Sequence, residues 1–124
     1  MDSVSRSDLP TAKVTPAPVV LVVGLAPELV ARCREAAIAG QSLLVESDVT
    51  SAATHAAQTR PLVIVVLEDV YAFDARSFND LAADVRARLV LLPDERIAQS
   101  ELEAIIVGAI LEAEASRESF NGPF

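Results

Sequence analysis

Two uninterrupted apolar runs constrain the fold of this chain more than any other feature of its sequence. Residues 19–23 are VVLVV, and residues 62–67 are LVIVVL. A strand with one face in solvent alternates polar and apolar residues, whereas a strand that is apolar throughout is buried on both faces. Strands of this kind belong to parallel sheets that are covered by helices on both faces. The two runs therefore predict the centre of an α/β domain.

Strand and helix patterns alternate around these runs. Further short strands are expected at 42–46 and 88–92, and helices are expected to start at Pro27, Asp48, Ser77 and Ser100, with a loop at 68–76. The order βαβαβαβα predicts a parallel sheet with right-handed crossovers, and a flavodoxin-like pattern gives the strand order 2-1-3-4. We therefore expect a three-layer sandwich over 18–118, between a flexible N-terminal tail at 1–17 and a C-terminal tail at 119–124.

Composition and charge narrow the range of functions. The formal net charge of −8 argues against nucleic-acid binding, which requires clustered Lys and Arg. The longest uncharged run is shorter than the ~20 residues of a membrane span. With one cysteine the chain forms no internal disulfide and no zinc knuckle. Cys33 is expected to be an inert core thiol and His55 a surface residue, so we expect no cofactor, no metal and a cytoplasmic setting.

Residues 19–67 carry a recognisable pattern. The segment VVLVVGLAPELVARCREAAIAG is similar to the first strand and helix of a response-regulator receiver domain, and SLLVESDVTSAATHAAQTRPLVIVVL is similar to the next strand, helix and strand. The loop 46–48 and the pair Arg60 and Pro61 match the family pattern as well. The chain thus resembles the first half of a receiver, which implies a flavodoxin-like signalling fold.

The family's phosphotransfer chemistry requires groups that this chain does not have at the matching positions. Receivers use acids after the first strand to hold Mg²⁺, an aspartate ending the third strand as phospho-acceptor, a hydroxyl ending the fourth strand and a lysine ending the fifth. Here Gly24 and Leu25 occupy the acidic positions, Leu67 the acceptor position and Pro93 the hydroxyl position, and the single lysine is Lys13. The resemblance therefore implies a pseudo-receiver with no catalytic residue and no phospho-acceptor.

Acidic residues near the predicted strand ends leave an alternative open. Glu68 and Asp69 directly follow the acceptor position, and four more acids lie near other strand ends: Glu46, Asp48, Asp94 and Glu95. Ligands of open parallel sheets bind at that edge, so a displaced acidic pocket could hold a metal or accept phosphate at Asp69. We expect these acids to be solvated, because no cationic group is placed to complete a phosphoryl site.

The chain is also one strand–helix unit shorter than a receiver. Residues 89–111 match either the fourth unit or the last one, and the capping box at Ser100 and Glu103 favours the last. A missing unit leaves an open face or edge for partners. The final helix is apolar on more than one side, which predicts a contact surface. Its predicted members are Leu102, Ile105, Ile106, Ala109 and Ile110.

Three functions follow from these observations. The first is a non-catalytic, phosphorylation-independent pseudo-receiver that acts as a protein–protein interaction or signalling adaptor, expected to be a homodimer. The second is a flavodoxin-like domain that binds a ligand or metal through acids at strand ends, although Gly24 stands without a phosphate-cradling glycine motif. The third is a structural subunit of a larger assembly that pairs through the open edge of its sheet.

Overall fold

The two apolar runs form the central strands of a four-stranded parallel sheet. The computed structural model describes residues 17–120, with side chains described for 17–116. The sheet has the order β2-β1-β3-β4. Its strands are β1 (Val19–Val23), β2 (Leu43–Ser47), β3 (Val63–Leu67) and β4 (Arg88–Leu92). This architecture confirms the predicted α/β fold class and strand order, and it is consistent with a flavodoxin-like fold.

Within residues 17–120, five helices flank the sheet. They are α1 (Pro27–Ala39), α2 (Ala52–Thr59), α3 (Glu68–Phe73), α4 (Ala75–Val85) and α5 (Gln99–Phe120). Helices α1 and α5 pack together on one face, and α2 and α4 pack on the other. Pro27 opens α1, where its missing N–H costs no hydrogen bond, and Gly40 follows the last turn. The molecule is therefore the three-layer sandwich that the sequence predicts.

Side chains that alternate in direction along the central strands contribute to the core on both faces of the sheet. Val20 and Val22 face α1 and α5, whereas Leu21 and Val23 face α2 and α4. All four side chains are fully buried. Successive side chains of a strand point to opposite faces, so a strand covered on both sides must be apolar at every position. The uninterrupted runs thus follow directly from the three layers.

Helices α1 and α5 make a close and specific contact. The Arg32 side chain donates from Nε to Gln99 Oε1 at 2.9 Å, and Gln99 Nε2 donates back to the Arg32 carbonyl at 3.1 Å. Further along, a Cβ on Gly40 would lie 2.9 Å from Ile110 Cδ1. Contacts from 32 to 99 and from 40 to 110 show that the two helices run parallel.

The structure corrects the predicted contact surface on the last helix. The side chains of Leu102, Ile106, Ala109 and Ile110 are at most 5% exposed, so they belong to the core between α5, α1 and the sheet. The prediction that they meet a partner is wrong, because a helix that packs on both a sheet and a neighbouring helix buries a wide apolar arc. Only Ile105 of the predicted set is partly exposed, at the flank of the helix.

Three local predictions are also corrected. Helix α3 occupies most of the stretch expected to be a loop. The carboxylate of Asp74 caps α4 by accepting from the Ser77 N–H, so Ser77 is not the cap. The Leu102 N–H donates to the Ala98 carbonyl at 2.9 Å, which places Ser100 inside the first turn of α5 and leaves the expected capping box unformed.

The predicted tails lie almost wholly outside the described residues, at 1–16 and 121–124. Helix α5 continues to Phe120, past the predicted end of the domain at 118. Among residues 17–120, no helix combines the length and the apolar character that a membrane crossing requires.

Candidate functional site

Four residues singled out in the sequence meet at one edge of the sheet. Gly24 and Leu25 follow β1, Leu67 ends β3 and Pro93 follows β4. Because the strands are parallel, their carboxyl ends share an edge, which is where open α/β sheets bind ligands. Leu25 and Leu67 are partly buried and pack against the α1/α5 core. The side chains of Leu25 and Leu67 therefore contribute to the core.

Gly24 has a backbone conformation that disfavours other residues. Its φ is +68°, in the left-handed region, and its N–H donates to the Ser47 carbonyl at 2.8 Å. A Cβ at this position would lie 3.1 Å from Cγ2 of Val49. Glycine adopts positive φ without a steric penalty, whereas a side chain here would meet both backbone strain and a close contact. The turn after β1 is thus built around glycine.

A cleft lies beside these positions, at the carboxyl ends of β3 and β4. It has a volume of about 410 Å³. Its lining residues are Leu67, Asp69, Pro93, Asp94, Glu95 and Arg96. Asp69 lies in the first turn of α3, and the Arg96 N–H donates to Asp94 Oδ1 at 2.6 Å, which fixes the turn after β4. The cleft therefore combines three exposed carboxylates with one guanidinium.

The composition of the cleft corrects one sequence-based argument. Arg96 lines the cleft, so a cationic group does lie near the displaced acids, contrary to expectation. Asp69, Asp94 and Glu95 come together there, while Glu46 and Asp48 lie at the other side of the sheet, at the end of β2. Among the described residues, no group of three His, Cys, Asp or Glu side chains has a geometry suited to a metal ion.

Ser47 and His55 form a contact that the sequence did not reveal. The Ser47 hydroxyl is buried and donates to the Asp48 carbonyl at 2.8 Å, and His55 Nδ1 lies 2.7 Å from Ser47 Oγ. This contact links α2 to the end of β2. His55 is half-buried, not on the open surface as predicted.

The other two titratable groups of interest are structural. Cys33 is fully buried in the α1/α5 core, and burial raises the pKa of its thiol to about 11. A thiol with such a high pKa is a poor nucleophile, which confirms the predicted inert core cysteine. Hydrogen bonds from Ser51 lower the pKa of the exposed Asp48 carboxyl. Asp48 thus stabilises the turn that precedes α2, whose first residue is Ala52.

Comparison of the chain with protein-family models, with curated proteins and with solved structures finds no match. The fold and the residues at the carboxyl edge of the sheet are therefore the features that indicate a function.

Proposed function

We propose that this chain is a shortened pseudo-receiver that works through protein–protein contacts, without phosphorylation and without catalysis. The observation that carries the proposal is the convergence of Gly24, Leu25, Leu67 and Pro93 at the edge where a receiver would hold its phosphotransfer groups. None of these residues supplies a carboxylate, a hydroxyl or an amine. Transfer of a phosphoryl group requires bound Mg²⁺ and positive charge around the transferred oxygens, and these four side chains provide neither.

The positions of the helices support the interpretation of β4 and α5 as the last unit of the fold. The chain passes from β2 to β3 and from β3 to β4 in the same direction across the sheet. Right-handed crossovers therefore place the connecting helices α2 and α4 on the same face. A helix leading to a further strand beyond β4 would lie on that face too. Helix α5 lies on the α1 face instead, as a terminal helix can. The missing unit of the proposed pseudo-receiver is thus the one before the last.

Several features support a role without catalysis. A side chain at Gly24 would be strained and would crowd Val49, and Leu67 packs against the α1/α5 core. The hydroxyl of Ser47 donates to a backbone carbonyl, and the Cys33 thiol is buried. The Ser47 hydroxyl and the Cys33 thiol thus have structural roles. An interaction surface is the function that such a domain retains.

The proposal is tested by exposing the full chain to a small phosphodonor, and separately to beryllofluoride, with Mg²⁺. Intact-mass spectrometry should show no added phosphoryl group, and amide spectra should show no change on beryllofluoride addition. Phosphoryl transfer leaves a covalent acyl phosphate on an acceptor carboxylate, so the mass measurement is direct.

The acidic cleft provides the control. Asp69→Asn removes the carboxylate best placed to act as a displaced acceptor, and Asp80→Asn is the matched change on the exposed surface of α4. A mass increase in the original chain that Asp69→Asn abolishes and Asp80→Asn retains would overturn the proposal. Such a result would make the chain a receiver with a relocated phospho-acceptor.

A further inference from the structure

We propose that two copies of this chain join along β4, which pairs with β4 of the second copy in antiparallel orientation about a two-fold axis at Val90. The two sheets then form one continuous eight-stranded sheet. This inference deepens the proposed function, because it assigns the self-association of the pseudo-receiver to a specific surface and partner. The partner is a second copy of the chain.

Strand β4 is an outer strand of the sheet and has no neighbouring strand on one side among the described residues. The Arg88 N–H donates to the Leu62 carbonyl, on the β3 side. Peptide groups alternate in direction along a strand, so those of Leu89 and Leu91 point away from β3, toward the edge of the sheet. The strand reads RLVLL, with no proline and no charge at its three central positions. Natural edge strands are usually protected by such residues, and an apolar edge without them favours pairing.

The opposite edge of the sheet differs in this respect. Strand β2 carries the exposed Glu46. The Leu43 N–H donates inward to the Pro18 carbonyl, and because peptide groups alternate along the strand, that of Glu46 points outward. A charged residue at this place protects an edge strand from pairing. Of the two edges, β4 is therefore the one suited to a second copy.

The residues on either side of β4 fix the register. A two-fold axis at Val90 places Leu89 opposite the partner's Leu91, and each of these two symmetric pairs exchanges two hydrogen bonds. Moving the axis to Leu91 would place Pro93 opposite Leu89, and proline has no N–H to donate. Moving it to Leu89 would place Ala87 opposite Leu91, and the Ala87 N–H already donates to the Ala82 carbonyl at 2.8 Å. Only the axis at Val90 satisfies both outward peptide groups.

Charge complementarity supports the same orientation. The amino end of β4 carries Arg86 and Arg88, and Arg88 forms an ion pair of 2.7 Å with Glu112. The carboxyl end leads into the cleft, where Asp69, Asp94 and Glu95 outnumber the single Arg96. Antiparallel pairing sets the basic end of each copy beside the acidic end of the other. A parallel arrangement would set like charges together, which is unfavourable.

The flank of α5 can accommodate the second copy. Glu112 reaches Arg88 on β4, so the side of α5 that carries Ile105, Gly108 and Glu112 lies toward this edge. Ile105 is partly buried, and a Cβ on Gly108 would meet no atom within 4 Å. In the paired sheet the two α5 helices lie side by side, and packed helices are ~8–10 Å apart. A glycine at this flank permits that approach.

Cysteine cross-linking tests the register. Opposed residues that do not exchange hydrogen bonds have Cα atoms ~4.5 Å apart, within disulfide range, so Val90→Cys should give a covalent dimer with a mild oxidant. Leu89→Cys is the matched control, because its Cα would lie ~7–8 Å from its symmetry mate. The parent chain should stay monomeric on a denaturing gel, since Cys33 is buried. Equal cross-linking of both variants, or of neither, would overturn the inference.

A second variant tests the edge without a covalent bond. Leu91→Pro removes an outward N–H and leaves the bonds to β3 in place, whereas Leu44→Pro does the same at the β2 edge. Sedimentation across concentration should show a dimer whose Kd rises about tenfold or more in Leu91→Pro, because two symmetric hydrogen bonds are lost, and little in Leu44→Pro. A parent chain that is monomeric throughout, or a dimer indifferent to Leu91→Pro, would overturn the pairing. Neither result bears on the phosphodonor measurement, so the two proposals fail separately.

Discussion

At the scale of single residues, Gly24 and Leu67 have structural roles at the carboxyl edge of the sheet. Gly24 occupies a left-handed turn against Val49, and Leu67 packs into the α1/α5 core. An acid at either position would be unfavourable. At Gly24 it would strain the turn after β1, and at Leu67 it would bring a charge into partly buried apolar surroundings, which is unfavourable without a partner.

Gly24→Asp, which introduces an acid at one of these positions, should therefore destabilise the protein. We expect the free energy of unfolding to fall by about 1–2 kcal/mol, from the positive φ and the close contact with Val49. Urea denaturation measures the change. The double variant with Val49→Ala should recover part of the loss, because Val49 is 52% exposed and its truncation relieves the contact at little cost. Unchanged stability in Gly24→Asp would show that the turn tolerates a side chain.

The pair of Ser47 and His55 marks the limit of sequence reasoning at this scale. Cys33 could be placed correctly because its spacing with apolar neighbours follows one face of a helix. The spacing of His55 indicates only that it avoids the apolar face of α2. Its contact with Ser47 depends on where α2 crosses the end of β2, which is a tertiary property. Buried hydrogen bonds of this type leave no periodic signal.

At the scale of elements, the sequence predicts the four strands and four of the helices, but not the short helix α3. The run LVIVVL predicts a central strand by itself. Pro27 and Gly40 mark the two ends of α1, as expected. Helix α3 has only six residues, too few to show a 3.6-residue period. The start of α5 was misplaced because Ser100 matches a cap in sequence, while the chain enters the helix earlier, where Gln99 bonds to Arg32.

That link makes Arg32 a polar connection between α1 and the start of α5. Besides Gln99, its guanidinium donates to the carbonyls of Glu95 and Ile97, in the turn between β4 and α5. Arg32→Ala leaves three acceptors without this partner and should lower the free energy of unfolding by about 2–3 kcal/mol. Arg34→Ala, at an exposed position of the same helix, should change it by less than about 0.5 kcal/mol. Equal values for the two variants in urea denaturation would show that the link contributes nothing.

At the scale of the whole molecule, net charge opposes the proposed pairing. Each chain carries a formal charge of −8. Four strands at about 4.8 Å each separate the centres of two edge-paired sheets by roughly 20 Å. Two such charges in water repel by several kcal/mol at 0.01 M salt but by only about 1 kcal/mol at 0.15 M, because the Debye length falls from ~30 to ~8 Å. Contacts between the basic and acidic ends of two paired β4 strands would be exposed, and Arg88 already pairs with Glu112 of its own chain, so each such contact contributes at most about 1 kcal/mol.

The balance of these terms predicts that added salt strengthens the dimer. Between 0.01 and 0.15 M NaCl the Kd should fall at least tenfold, since screening weakens the long-range repulsion more than the short ion pairs, while backbone pairing at β4 is largely insensitive to salt. Sedimentation velocity at a series of salt concentrations measures this dependence, and Leu91→Pro serves as the control whose Kd should stay about tenfold or more above that of the parent chain at every salt concentration. A dimer that weakens as salt is added would show that ion pairs hold it together. The apolar edge of β4 would then not be the element that joins the two copies.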